Sequence, residues 1–379
     1  MKWTIWIFAL MLTLNINAQS NITIQTALGA ISAIYPNFPK SDKSTFSVAV
    51  QLNKQWRGNK SWHSYYRYPT LGLGIYYLES GSGALGQSVA LCPQLGFKQS
   101  INGKLSLFEN GGLGLAMFNK PYNEINNPQN IAVGSKLTAF ATAQIGFIYQ
   151  YNSKLNILAF GGLMHYSNAH VQLPNVGLNV FNGGIGVKYF FKNNSSLLPD
   201  TTKHFDKKWH FNLKVALGIN EQGSSIIAVN GPKYPIYIAS VFLARKFSYI
   251  NKVQVGVEVM RNMGFYDFMV AQKLYAPKQK QKSYTAHVFA GHEFLMGHVS
   301  LLTLAGIYVY NPFYKAQHDL YYKDDFKGAL KNYVTLKLGL QFYLFNTHNK
   351  TSNQCYVGSY VKTNFGQADY WENAIGFQF

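Results

Sequence analysis

Residues Leu155 to Phe191 read LNILAFGGLMHYSNAHVQLPNVGLNVFNGGIGVKYFF, two strands joined by a polar loop. Side chains alternate across a strand with period two. In the first strand Leu155, Ile157, Ala159, Gly161 and Leu163 therefore share one face, and the same parity carries His165 and Ser167 onto it. In the second, Phe181, Ile185, Val187 and Tyr189 form an apolar face, and parity adds Asn179. If these faces meet lipid, a histidine, a serine and an asparagine gather at the lipid boundary of one hairpin. A base beside a hydroxyl, with a third polar group holding the base, is the minimum equipment for nucleophilic ester hydrolysis.

The same alternation recurs on both sides. Phe211, Leu213, Val215, Leu217 and Ile219 alternate with polar or small residues, as do Val253 to Val259 and Val334 to Leu344. No comparable stretch shows helical spacing, so the fold is expected to be all-β. About sixteen strands fit, at the usual length of a membrane strand. In the first half they lie near 20–33, 44–57, 67–78, 85–100, 103–118, 134–151, 154–166 and 178–191. In the second half they lie near 208–220, 232–248, 252–271, 283–296, 299–311, 329–346, 354–364 and 367–379. Long connections such as 119–133 and 312–328 often follow odd strands, and tight turns such as Tyr151-Asn152-Ser153 follow several even ones. Long loops on one rim and short turns on the other characterise antiparallel transmembrane β-barrels.

The composition agrees. Aromatic residues make up 16% of the 379, charged residues only 13%, and there are 33 glycines. After the first segment no run of about twenty apolar residues occurs, which excludes a transmembrane helix. Residues 1–18 combine a basic start, an apolar run and a small residue, Ala18, before Gln19, and read as a signal peptide. The terminal aromatic Phe379, on an alternating strand, resembles the ending of outer-membrane barrels. With a net charge of +19, an anionic membrane surface is the expected partner and nucleic acid is not. Cys92 and Cys355 lie in strand-like runs and are expected to be buried or to face lipid.

An internal repeat divides the chain. GGLGLAMFNKPYNE (111–124) compares with LAGIYVYNPFYKA (304–316), and NGGIGVKYF (182–190) with ENAIGFQF (372–379). The expected organisation is a first barrel repeat at 19–191 carrying the His/Ser pair, a linker at 192–207 and a second repeat at 208–379. Two eight-stranded repeats can merge into one sixteen-stranded barrel or close as two small ones. One wide barrel is preferred here.

His165-Tyr166-Ser167-Asn168-Ala169, followed by Pro174-Asn175 and Gly177, resembles the lipid A 3-O-deacylase (PagL-type) family of outer-membrane barrels, grouped with acyloxyacyl hydrolases. The resemblance covers about residues 105–191 and is sharp in the HxSN motif and the Pro-Asn-x-Gly loop. It implies an eight-stranded barrel of the bacterial outer membrane with a His-Ser-Glu triad on its lipid-facing wall, hydrolysing an acyl ester of lipid A or lipopolysaccharide without a cofactor or metal. Carried over, His165 is the general base, Ser167 the nucleophile and Asn168 an oxyanion donor. The family's glutamate falls at Asn179, a departure: an asparagine can orient the histidine but brings no negative charge. Asp369 and Glu372 are possible acidic partners. In the second copy the His and Ser positions fall at Lys362 and Asn364, so that copy is expected to lack a triad.

Other motifs carry less. Gly81 to Gly86 matches GxGxxG without a following helix and reads as a loop. His292, Glu293 and His298 lack metalloprotease spacing and read as structural. The alternative to an esterase is a catalytically inactive porin-like or structural barrel, which the Asn179 departure favours.

Overall fold

The computed structural model describes residues 20–33, 35, 37–56, 62–191, 205–321, 326–348, 353–364 and 367–379; the signal-peptide segment and most of the linker lie outside these. The first eight strands are β1 (Ser20–Ile31), β2 (Thr45–Gln55), β3 (Thr70–Glu79), β4 (Gln87–Ser100), β5 (Leu105–Phe118), β6 (Leu137–Gln150), β7 (Leu155–Ser167) and β8 (Leu178–Phe190). The next eight are β9 (Trp209–Glu221), β10 (Lys233–Lys246), β11 (Asn251–Asn262), β12 (Tyr284–Met296), β13 (Val299–Tyr310), β14 (Val334–Tyr343), β15 (Gln354–Asn364) and β16 (Gln367–Gln378).

These strands form two closed antiparallel barrels of eight, not one of sixteen. The expectation of a single wide barrel is corrected by two pairings. β8 closes on β1, with Ile22 opposite Tyr189 and Ala30 opposite Phe181. β16 closes on β9, with Ile375 opposite Val215. Once each half has paired its own first and last strands, neither retains an edge for the other. The repeat is visible in the topology: residues 111–124 and 304–316 start in the fifth strand of their barrels, and 182–190 and 372–379 fall in the eighth.

Both barrels are inside-out relative to a soluble domain. On β9, Leu213, Val215 and Leu217 are exposed, while Asn212 and Lys214 between them are buried in the lumen. The first lumen is filled by amides and a phenol: Gln51 Nε2 donates to Gln25 Oε1 at 2.9 Å and to the Tyr76 hydroxyl at 3.1 Å, and Gln94 Nε2 donates to Asn53 Oδ1 at 3.0 Å. The second lumen holds charge. Lys337 Nζ lies 2.7 Å from both Glu258 and Glu372, and Lys214 Nζ lies 3.1 Å from Glu258. Side chains fill barrels of this strand number. An apolar outer face and a satisfied polar interior are what a bilayer demands of a spanning sheet. Among the described residues no helix is long and apolar enough to cross a membrane.

Val215 is at the middle of β9 and 61% exposed. Val215→Arg is expected to lower the unfolding free energy of the second barrel by about 2–4 kcal/mol, the usual effect of a cation at the midplane on the lipid face. Urea titration in liposomes measures this, and undiminished stability would place Val215 out of the bilayer.

Helices appear only in connections. α1 (Trp62–Tyr65) lies between β2 and β3. α2 (Met263–Ala271) and α3 (Gln279–Lys282) lie between β11 and β12, and α4 (Pro312–Tyr321) and α5 (Phe326–Lys331) between β13 and β14. α2 corrects the expected strand 252–271. Asn262 Oδ1 accepts the Gly264 N–H at 2.8 Å, an N-cap that ends the strand and starts the helix. Phe265 then stacks on Phe313 of α4, with ring centroids 3.6 Å apart. Alternation of loop length holds at most connections. The exceptions are the long ones from Gln55 to Thr70 and from Tyr343 to Gln354 and the tight one from Asn364 to Gln367.

The chain divides into two compact units. One comprises residues up to 120, 136–166 and 178–201; the other comprises 121–135, 167–177 and 202 onward. Residues 121–135 of the β5–β6 connection and 167–177 around the β7–β8 connection group with the second unit. Cys92 is buried in its strand, Cys355 is partly exposed, and both are free thiols.

Candidate active site

β7 starts at the Asn152 turn and runs to the long-loop rim of its barrel, where His165 and Ser167 end it. Both are half-buried and share a face with the exposed Ile157, while Met164 and Tyr166 beside them point into the lumen, 2% and 0% exposed. β8 pairs with β7 so that Asn179 stands directly opposite His165. His165 Nδ1 and Asn179 Oδ1 are 2.7 Å apart. With an amide oxygen as acceptor, Nδ1 carries the hydrogen and Nε2 keeps its lone pair as the basic atom.

Ser167 Oγ accepts two hydrogen bonds, from Asn175 Nδ2 at 2.9 Å and from the Ala169 N–H at 3.2 Å. Asn175 Oδ1 accepts the Asn168 N–H at 3.1 Å, so one side chain spans the serine and its neighbour. Asn168 is engaged within its own loop. Its Nδ2 donates to Ser135 Oγ at 3.1 Å and to the Gln172 carbonyl at 2.7 Å, which uses both amide hydrogens within the loop. Asn168 locks the turn; the donor aimed at Ser167 is Asn175. The Pro-Asn-x-Gly loop contained that residue, but only the folded loop brings it back eight positions to the serine.

The loop closing this rim is tightly wound. Ala169 and His170 have φ of +54° and +68°, a left-handed pair without glycine. His170 is buried, its Nε2 lies 3.2 Å from the Gly223 carbonyl, and burial pushes its pKa below the ordinary histidine value. A neutral ring donating from Nε2 fits that partner.

The acidic candidates are engaged elsewhere. Glu372 is buried in the second lumen, bridging Lys337 at 2.7 and 2.9 Å. Asp369 pairs with Lys362 and accepts from Tyr314 at 2.8 Å and Asn364 at 2.7 Å. Each carboxylate is bonded inside its own barrel, and the group that meets the His165 ring is Asn179. The assignment of Lys362 and Asn364 as counterparts of His165 and Ser167 is also corrected. Both point into the lumen. Gly162 pairs with Asn182, and Tyr360 with Glu372. Counting outward from these equivalent pairs puts Thr363 where His165 stands, beside a register shift between Lys362 and Thr363. A slip of one residue turns every side chain to the other face. The second barrel has no histidine at that place.

Residues 46–188 match the lipid A 3-O-deacylase (PagL) family, and residues 208–351 match the acyloxyacyl hydrolase C-terminal domain. The first half is thus similar to the PagL family, and the second half to the acyloxyacyl hydrolase C-terminal domain. The PagL match contains His165, Ser167, Asn168, Asn175 and Asn179. Among solved structures, the outer membrane enzyme PagL is 20% identical, covering 44% of this chain and 98% of its own, with a TM-score of 0.31. Neisserial surface protein A is 9% identical over 45% and 97%, with a TM-score of 0.32. An outer membrane channel from Pseudomonas putida F1 is 8% identical over 96% of each chain, with a TM-score of 0.22. No curated relative matches the sequence. The barrel fold and the PagL match agree with a place in the bacterial outer membrane. Among the described residues no group of three or more His, Cys, Asp or Glu side chains is placed to hold a metal.

Proposed function

We propose that the protein is a serine esterase that hydrolyses a fatty acyl ester of lipid A in the outer membrane. The observation that carries this reading is the pairing of His165 Nδ1 with Asn179 Oδ1 at 2.7 Å on the face that also bears Ser167. It sets the tautomer a general base needs. An outward site suits this substrate, because acyl chains already lie in the leaflet beside the wall.

Ser167 Oγ attacks the ester carbonyl carbon as His165 Nε2 removes its proton. Charge develops on the former carbonyl oxygen, and Asn175 Nδ2, already 2.9 Å from Oγ, donates to it. Collapse breaks the carbon–oxygen bond to the sugar, and the imidazolium returns its proton to the leaving sugar hydroxyl. Water, deprotonated by His165, then attacks the acyl-serine. The fatty acid leaves and Ser167 regains its proton. Asn179 orients the ring throughout but offers no charge against the imidazolium.

Acyl release from lipid A liposomes by the purified wild type tests the reading; no release from folded protein would end it. Asn179→Glu is expected to raise kcat by about 10–100-fold, because hydrogen bonds to an ionised acceptor are roughly twice as strong as neutral ones. A kcat unchanged by this substitution would show that imidazolium charge does not limit the reaction.

The second reading, a silent barrel, has the Asn179 departure in its favour. Its porin form is opposed by the filled lumen of the first barrel. A cavity there, lined by Gln25, Gln51, Asn53 and Lys188, measures about 60 Å³. That holds a few waters and is not a conducting channel. A large ohmic conductance in planar bilayers, without acyl release, would decide for the porin.

A further inference from the structure

The second unit includes Ser167 and the loop that carries Asn175. Within that unit the Val176 and Gly177 N–H groups donate to the Ile131 and Ala132 carbonyls at 3.1 Å each, and residues 221–225 hold the loop at four further points. Leu173 N–H donates to Glu221 Oε2 at 2.6 Å, and Glu221 N–H donates to the His170 carbonyl at 3.0 Å. Asn175 N–H donates to the Ser225 carbonyl at 2.7 Å, and His170 Nε2 lies 3.2 Å from the Gly223 carbonyl. Glu221 is the last residue of β9 and is 1% exposed. Its other oxygen accepts the Gly231 N–H at 2.7 Å, and Lys233 Nζ lies 3.0 Å from Oε2.

A buried carboxylate with three donors is a stiff anchor, because charge-assisted bonds in a poorly solvated place are short and strong. The bond to Leu173 is made two residues before Asn175. The segment it restrains follows a left-handed pair at Ala169 and His170, a backbone that persists only where its surroundings over-determine it. Asn175 in turn reaches Ser167 Oγ and the Asn168 N–H.

We propose that Glu221 is a positioning residue: by holding the Leu173 N–H it fixes the segment that sets Asn175 against Ser167. This rests on the esterase reading for its effect on rate, but not for its effect on the loop. Misplacement of a catalytic donor by about 1 Å lowers rates by roughly 10²-fold.

The test uses the full chain, with Glu221→Ala, Asn175→Ala and the double variant. Glu221→Ala is expected to lower kcat on lipid A by about 10–100-fold with little change in KM, since Asn175 acts where charge develops. In the Asn175→Ala background it should lower kcat no further, a non-additivity that general destabilisation does not produce. Amide hydrogen exchange across 168–176 should quicken in Glu221→Ala while that of β9 to β16 stays protected. Glu221→Gln, which keeps one acceptor oxygen, should lie between wild type and alanine in both measurements. Unchanged exchange across 168–176 overturns the proposal even if the wild type proves inactive. Wild-type activity that falls with Asn175→Ala but not with Glu221→Ala also overturns it. Faster loop exchange in a chain whose wild type releases no acyl group upholds the positioning role and ends the esterase reading alone.

Discussion

Ser167→Ala lowers acyl release from lipid A by at least about 10³-fold, the expected result if this hydroxyl is the nucleophile. The size follows from the chemistry. Without Oγ there is no acyl-enzyme, and the remaining rate comes from water attacking a carbonyl held by the same donors. His165→Ala is expected to fall as far, because a serine with no base nearby is a weak nucleophile at neutral pH. The double variant should be no slower than either single one, since the two side chains act as one device. Release of free fatty acid is measured in liposomes, with gel mobility before and after boiling used to show that both barrels are folded. Equal release from wild type and Ser167→Ala would move the chemistry to another group, and Asn175 would then have no charge to meet.

Glu258→Ala is expected to cost the second barrel about 3–5 kcal/mol, the usual effect of removing one partner of a buried ion pair. Glu258 lies 2.7 Å from Lys337 and 3.1 Å from Lys214, and all three side chains are almost inaccessible. Glu372 completes the cluster at 2.7 Å from Lys337 and 3.6 Å from Lys214. Two cations and two anions balance; with Glu258 gone, two buried ammonium groups share one carboxylate. Replacing Glu258 and Lys337 together by apolar residues of similar volume should recover most of the loss, because the pair of Lys214 with Glu372 remains neutral. Urea unfolding of the chain in liposomes reads both effects. A Glu258→Ala barrel within about 0.5 kcal/mol of wild type would mean that water reaches the cluster and screens it.

Several features were legible before any coordinates. The alternation in Phe211 to Ile219 marked a strand with an apolar and a polar face, and β9 has that face pattern. The parity of Leu155 to Ser167 put His165 and Ser167 on the apolar side, where they lie. The motif around them and the family match fall in the same half of the chain. Misses arose where a local pattern has two solutions. The apolar run 263–271 suits a strand or a helix, and a cap at Asn262 with packing on Phe313 selected the helix. The repeat aligned Lys362 with His165, whereas counting from the pairs Gly162/Asn182 and Tyr360/Glu372 puts Thr363 at that place.

What the amino-acid order determined by itself is everything set by neighbours two residues apart: which segments are strands, which faces meet lipid, and that a base and a hydroxyl share one of them. The tertiary structure alone decided closure into two barrels, because an alternating strand looks the same whichever edge it pairs with. It alone brought Asn175 to Ser167 and Glu221 to Leu173. Those contacts are hydrogen bonds between residues 8 and 48 positions apart. A hydrogen bond acts over about 3 Å, and no local periodicity records which distant atoms will come that close.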